Sequence, residues 1–200
     1  MVATTGLWIA LGVVGALGVV GVAGGFLLLA MGRLSLDLGW GRSVHPLGPI
    51  AIRIAAPREL VFEILDAPYA GRAPAPGIDV VARSDSLVVA AHHTKVHFYT
   101  ARTVEAVEFD PPARVGFRHL TGPVPHAVEE FTLEESGGAT ELRYSGEVGI
   151  DFFALGKVAA RRWVRPQWER TVREHLDEVK ERAEQRAAAR RSRDAGRTVS

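Results

Sequence analysis

Three histidines and a tyrosine crowd into AHHTKVHFYT, residues 91–100, and imidazoles at that density raise metal binding or acid/base chemistry first. A zinc ion needs three or four ligand atoms within about 2.0 to 2.3 Å of one point. On one continuous strand His93 and His97 share a face but stand about 13 Å apart, at roughly 3.3 Å per residue, too far for one metal. A two-residue turn at Thr94 and Lys95 would instead set His92 opposite His97, with Cβ atoms about 5 Å apart. Such turns favour Gly, Asn or Asp, which this segment lacks. No third ligand joins either arrangement, so neither a metal nor another cofactor is expected. The register decides which of His93, His97 and Tyr99 can see the interior.

Further along, RVGFRHL sets Val115, Phe117 and His119 on one face by the period of two. AVEEFTLEE does the same for Glu129, Phe131 and Leu133, and ELRYSG for Leu142 and Tyr144. If the apolar members face inward, His119, Glu129 and Tyr144 are drawn in with them. Burial raises a carboxyl pKa and lowers an imidazole one, which is how an acid/base trio arises. The plain structural alternative has His119 solvated at a strand end, Glu129 and Glu130 turned outward by a bulge, and Tyr144 a core tyrosine with its hydroxyl satisfied. Residues expected to line an interior cavity are Tyr99, Phe117, His119, Glu129, Phe131, Tyr144 and Trp168. No Gly-rich phosphate loop, metal quartet or nucleophile elbow occurs, which disfavours nucleotide chemistry, zinc hydrolysis and serine esterase activity.

The elements that must position these residues are short-period. PIAIRIAA alternates as a half-buried strand, and APRELVFEILDAPY reads as a helix ending before Pro68. Six more strands follow: IDVVARS, SLVVAAHH, VHFYTARTVEAVEF, ARVGFRHL, HAVEEFTLEE and ATELRYSGEVGI. Turn residues separate them, which predicts an antiparallel meander. From Phe152 to about Arg190, apolar residues three or four apart (Leu155, Val158, Trp163, Val164, Trp168, Val172, Leu176, Val179, Ala183) predict one amphipathic helix face. Pro166 should kink or break its first third.

At the other end, residues 6–31 are apolar or small throughout and the first charged side chain is Arg33. That length spans a membrane. The segment lacks a basic n-region and a small-x-small cleavage site, so an uncleaved anchor is expected rather than a signal peptide. Arg33 and Arg42 on its C-terminal side predict an outside N-terminus and a cytoplasmic domain. Gly21 and Gly25 form one small-xxx-small pair through which anchors could dimerise. Trp40 could sit at headgroup level or be an ordinary linker residue. Cysteine is absent, which rules out disulfides. From Lys180 on, seven basic residues face three acidic ones, while the rest is slightly acidic; no nucleic-acid partner is expected. The chain thus divides into a short N-terminal segment 1–5, anchor 6–31, juxtamembrane linker 32–47, folded domain 48–186 and a basic disordered tail 187–200.

The ordered set of four segments resembles the START-like or SRPBCC superfamily, the polyketide cyclase/dehydrase and lipid-transport group. The segments are IRIAAPRELVFEILDAPY, VEFDPPARVGFRHLTGPVP, VEEFTLEESGGATELRYSGEVG and WERTVREHLDEVKERAE. The resemblance implies an α+β helix-grip fold, a curved antiparallel sheet of about seven strands around a long C-terminal helix, here preceded by one transmembrane helix. It also implies a cavity for a lipid, polyketide-like or isoprenoid molecule. It carries over no universal catalytic residue. Three readings follow: a membrane-anchored binding protein for a hydrophobic small molecule, a cyclase or dehydratase acting on one, and a membrane interaction module without a ligand. The first is favoured, with enzymatic activity left undecided.

Overall fold

The structure, a computed structural model, describes residues 18–71, 75–96 and 99–198, with side chains as far as Arg193. A helix over 18–30 (α1) leads into an irregular segment and then β1 (Ser43–Ile54) and α2 (Arg58–Asp66). Six strands follow: β2 (Ile78–Arg83), β3 (Leu87–Val96), β4 (Tyr99–Asp110), β5 (Arg114–Thr121), β6 (His126–Ser136) and β7 (Ala139–Ile150). The chain closes with α3 (Phe153–Ala159), a π turn at Ala160–Val164 and α4 (Arg165–Thr198).

All seven strands form one antiparallel sheet in the order β1-β7-β6-β5-β4-β3-β2. Alternation along every strand but the exposed edge strand β2 buries one face, for instance Thr140, Leu142, Tyr144 and Val148 of β7. Against that face lies the stripe Val172, Leu176, Val179, Ala183 and Ala187 of α4, spaced three or four apart. Between sheet and helix, α2 inserts Leu60, Val61, Phe62, Ile64 and Leu65, all buried. The helix-grip architecture expected from the sequence is therefore present.

Four expectations are corrected. β1 starts at Ser43, so the last part of the expected linker 32–47 is strand, and the rest is a strap tied down across one end of the sheet. Arg102 N–H donates to Met31 O at 2.9 Å, and Ser35 Oγ donates to Gly122 O at 2.8 Å. Asp151 accepts from the Leu38 and Gly39 N–H groups at 3.0 Å each and from Arg42 Nε at 2.8 Å. Second, β3 runs through Thr94 and Lys95 to Val96, with His92 opposite Thr103, so the tight turn that would face His92 with His97 does not form there. His97 and Phe98 lie outside the described residues.

Third, the apolar face of the C-terminal helix does not extend back to Leu155, Val158 and Trp163, which are exposed. A π turn carries one residue more than an α turn, and each residue advances a helix by about 100°, so the face upstream of Arg165 is rotated away from the sheet. Pro166, lacking an N–H, follows directly. Fourth, α4 continues to Thr198, through the segment that composition assigned to a disordered tail. Its Ala-rich stretch favours helix, and Ala187 is buried.

Residues 6–17 of the apolar run 6–31 lie outside the described ones. Within 18–30 the chain is helical with Val19, Val20, Val22 and Phe26 exposed, and nothing crowds Gly21 or Gly25. Among the described residues no helix is long and apolar enough to cross a membrane.

Candidate functional site

Apart from Thr140, whose hydroxyl donates to Ala56 O at 2.7 Å, the polar side chains of the inward face gather in one belt. On β6, Glu129 faces inward and Glu130 outward, where Glu130 meets Arg114 Nε at 3.1 Å. The pairing of β6 with β7 is unbroken here, so the alternative of a bulge turning both carboxylates out is not realised. Glu129 Oε2 accepts two hydrogen bonds, from the Tyr144 hydroxyl at 2.5 Å and from Trp168 Nε1 at 2.7 Å. Tyr144 comes from the neighbouring strand and Trp168 from the first turn of α4, so sheet and helix meet on one carboxylate oxygen.

Burial pushes the Glu129 pKa up to about 7, and the charge of Glu105 adds to the rise, while the two hydrogen bonds oppose it. The Tyr144 hydroxyl is held protonated well above its ordinary range, by burial first and then by Glu129. With Oε2 occupied twice as an acceptor, the proton of neutral Glu129 resides on Oε1. That oxygen can donate to a carbonyl or, once ionised, accept from a hydroxyl.

A second group stands beside it. Glu105 on β4 is paired in register with His119 on β5, and its carboxylate lies 3.9 Å from His119 Nδ1 and 3.6 Å from His92 Nε2 on β3. Burial raises Glu105 to about 7 and lowers His92 and His119 each to about 4. Between those values all three groups are neutral, so the close approaches are dipolar contacts rather than ion pairs. The His119 side chain is only 2% exposed, and neither ring nitrogen has a hydrogen-bond partner. Buried polar atoms without partners are uncommon and costly, and two on one ring point to a group the protein does not itself supply. The Tyr69 hydroxyl approaches His92 Nε2 at 3.5 Å.

Aromatic rings link the two groups. Phe117 packs edge-on to Phe131 at 5.8 Å, Phe131 packs against Tyr144 at 5.3 Å, and Tyr69 touches both Phe109 and Phe117. Between sheet and α4 the cluster is partly open to solvent, which makes a cleft of the place where a cavity was expected. Phe117, Glu129 and Trp168 are half-buried, and His175 of α4 is exposed although its ring lies 6.0 Å from that of Phe131. A surface depression of about 330 Å³ lies elsewhere, against Ser86, Leu87, Glu108, Phe109 and Arg114.

Of the residues singled out from sequence, Phe117, His119, Glu129, Phe131, Tyr144 and Trp168 gather around this cleft. Tyr99 does not join them: it opens β4 opposite Val96, about 20 Å along the strand from Glu105. His93 turns out of the cleft to Asp79, 3.0 Å away. Sequence reasoning missed Glu105 and Tyr69, and weighed His92 only as a partner of His97. Glu105 shares the parity of Ala101, Val107 and Phe109 along β4, the same signal that exposed Glu129; the register shift beside it places its extra residue, Leu120, on β5. His92 shares its parity with the buried Val88 and Ala90. Among the described residues no group of three His, Cys, Asp or Glu side chains is arranged to hold a metal ion.

The fold is shared with solved structures. TTHA0849 from Thermus thermophilus superposes with a TM-score of 0.57 at 18% identity, over 70% of this chain and 97% of that one. The Zhui aromatase/cyclase from Streptomyces sp. R1128 gives 0.58 at 21% identity, over 72% and 95%. The di-domain aromatase/cyclase BexL from the BE-7585A biosynthetic pathway gives 0.59 at 21% identity, over 72% of this chain and 50% of that one. No curated protein matches the sequence. The family model described as polyketide cyclase/dehydrase and lipid transport matches residues 50–184, from the middle of β1 to the buried stripe of α4. That span contains every strand and side chain of the cleft, and the chain belongs to the polyketide cyclase/dehydrase and lipid transport family.

Proposed function

We propose that the protein binds a hydrophobic small molecule in the cleft between sheet and α4, and that the polar belt reads oxygen-bearing groups on it. The observation that carries this is Glu129: a half-buried carboxyl fixed through one oxygen by Tyr144 and Trp168, with the other left over, among Phe117, Phe131 and Tyr144. A mostly apolar concave site with a few fixed polar groups is the usual form of a small-molecule site. The unpartnered His119 supplies a second point of attachment. In the same reading residues 6–31 anchor the chain, with the N-terminus outside and the domain cytoplasmic, close to a lipid-like ligand's source. Pairing of anchors through Gly21 and Gly25 belongs with it.

Native mass spectrometry of the full chain released from detergent micelles tests the binding. Wild type should retain an apolar small molecule, and Phe117→Asp should lose it. A chain that is empty in every preparation, and that takes up no apolar fluorescent probe in titration, overturns the proposal. Protease treatment of sealed vesicles tests the topology, with the domain cleaved only from the cytoplasmic face.

A second reading, catalysis of a cyclisation or dehydration, is favoured by one observation. Glu105 and Glu129 both titrate near 7, where a carboxyl can take up and return a proton, and an aromatase/cyclase shares the fold. Replacing Glu129 with Gln should then abolish turnover of a bound substrate while leaving it bound. Unchanged turnover removes this reading and leaves the first intact.

A further inference from the structure

One end of the domain exposes apolar side chains that no packing role accounts for. Leu155 is 80% exposed, Trp163 65%, Trp40 64%, Phe153 58% and Val158 50%. Strap and α3 meet among them, where the Trp40 and Phe153 rings pack edge-on at 5.7 Å. The backbone is bent to present them. Phe152 and Phe153 both take left-handed φ, 76° and 49°, and are held there by bonds from their N–H groups to Trp40 O and Gly41 O. Bulky residues adopt such angles only where their surroundings impose them, at about 1 to 3 kcal/mol each. At Gly41 a Cβ would come within 2.4 Å of the Phe153 ring, so the strap is shaped to receive it.

We infer that this end lies flat on a bilayer, with Leu155, Val158 and Trp163 at the boundary between headgroups and acyl chains. Two observations select lipid as the occupant. The apolar run 6–31 reaches the folded domain at this same end, and Met31, its last residue, is already hydrogen-bonded to Arg102 of β4. A bilayer that holds the run therefore has no slack through which the domain could stand away. Cations also ring the patch: Arg33, Lys157, Arg161 and Arg162 are exposed. The acidic groups nearby are engaged, Asp37 and Asp151 with Arg42 and Glu147 with His126. An apolar face bordered by basic residues is the pattern of a segment lying in the membrane interface, where anionic headgroups meet the cations. The inference rests on the anchor described above.

The chain has no cysteine, so single cysteines can carry spin labels on the full-length protein in vesicles of mixed anionic and neutral lipid. Leu155→Cys and Val158→Cys report the patch, and Glu178→Cys on exposed α4 is the aqueous control. Labels at 155 and 158 should collide several-fold more with oxygen than with a water-soluble nickel chelate, and the control should show the reverse. If the chain floats with the vesicles but 155 and 158 match 178, docking fails while the anchor stands. Spin–spin broadening at 155 would mean a second copy covers the patch and equally overturns the inference. A chain that does not float removes anchor and docking together.

Discussion

At the scale of the residue, His119 is the most informative side chain. Its two buried, unpartnered nitrogens forgo hydrogen bonds they would have in water, at about 1 to 3 kcal/mol for each unsatisfied group. His119→Phe removes those atoms and keeps a flat ring. We expect stability to denaturant to stay level or rise by about 1 kcal/mol, while retention of the bound molecule falls. A structural role alone would show the opposite, a loss of stability with ligand retention unchanged. Tyr144→Phe acts on the neighbouring group. Losing the 2.5 Å hydrogen bond to Glu129 should destabilise the fold by about 1.5 to 3 kcal/mol, the range for bonds to charged groups, or less where the acid is neutral. It should also move the Glu129 titration, followed by NMR or infrared spectroscopy, further upward.

At the scale of the element, period-two alternation was enough to place six of the strands, because each has one face on the core and one in water; the edge strand β2, exposed beyond Ile78, was legible only from its apolar run between turn residues. Alternation also brought Phe117, Phe131 and Glu129 to one side. The same alternation holds at Glu105, which keeps the inward parity of Ala101 and Val107 and was legible in the strand. Periodicity failed on the helix upstream of Arg165, where the π turn resets phase, a one-residue irregularity that composition does not announce. The strap was illegible for another reason: its partners, Arg102, Gly122 and Asp151, are distant in sequence and its own residues have no period. Gly32 tests the strap. It has φ 65°, and a Cβ there would fall 1.9 Å from Arg102 O. Gly32→Ala should release the contact, seen as faster amide hydrogen exchange at Arg102 with the strands beyond unchanged. Protection at Arg102 equal to wild type would show that the strap is not held there.

At the scale of the whole molecule, buried carboxyls and imidazoles set opposing pH dependences. Glu105 and Glu129 rise from an ordinary 4.5 to about 7, so the folded state holds their protons more tightly. Their contribution is full below pH 4.5 and is lost as pH rises through 7. His92 and His119 fall from 6.5 to about 4, so their contribution is full above pH 6.5 and is lost as pH falls through 4. Between pH 4.5 and 6.5 the carboxyl and imidazole terms therefore oppose one another. Glu129→Gln removes one carboxyl, and its unfolding free energy, relative to wild type, should climb by about 3 kcal/mol between pH 4.5 and 7, at 1.36 kcal/mol per pH unit. A pH-independent difference between the two proteins would show that Glu129 titrates normally.

The pairing of β1 with β7 has a consequence in time. Ser43 meets Ile150 and Ile54 meets Thr140, so the first strand to be synthesised finds its partner among the last. At about 5 to 20 residues per second, some 90 residues of translation take on the order of 5 to 20 s. For that interval β1 stands as an open edge, and open edges recruit other strands. If residues 6–31 tether the chain as proposed, that wait is spent at a membrane surface. The last turns of α4 are made after β7, so the grip can close only once the chain is nearly complete.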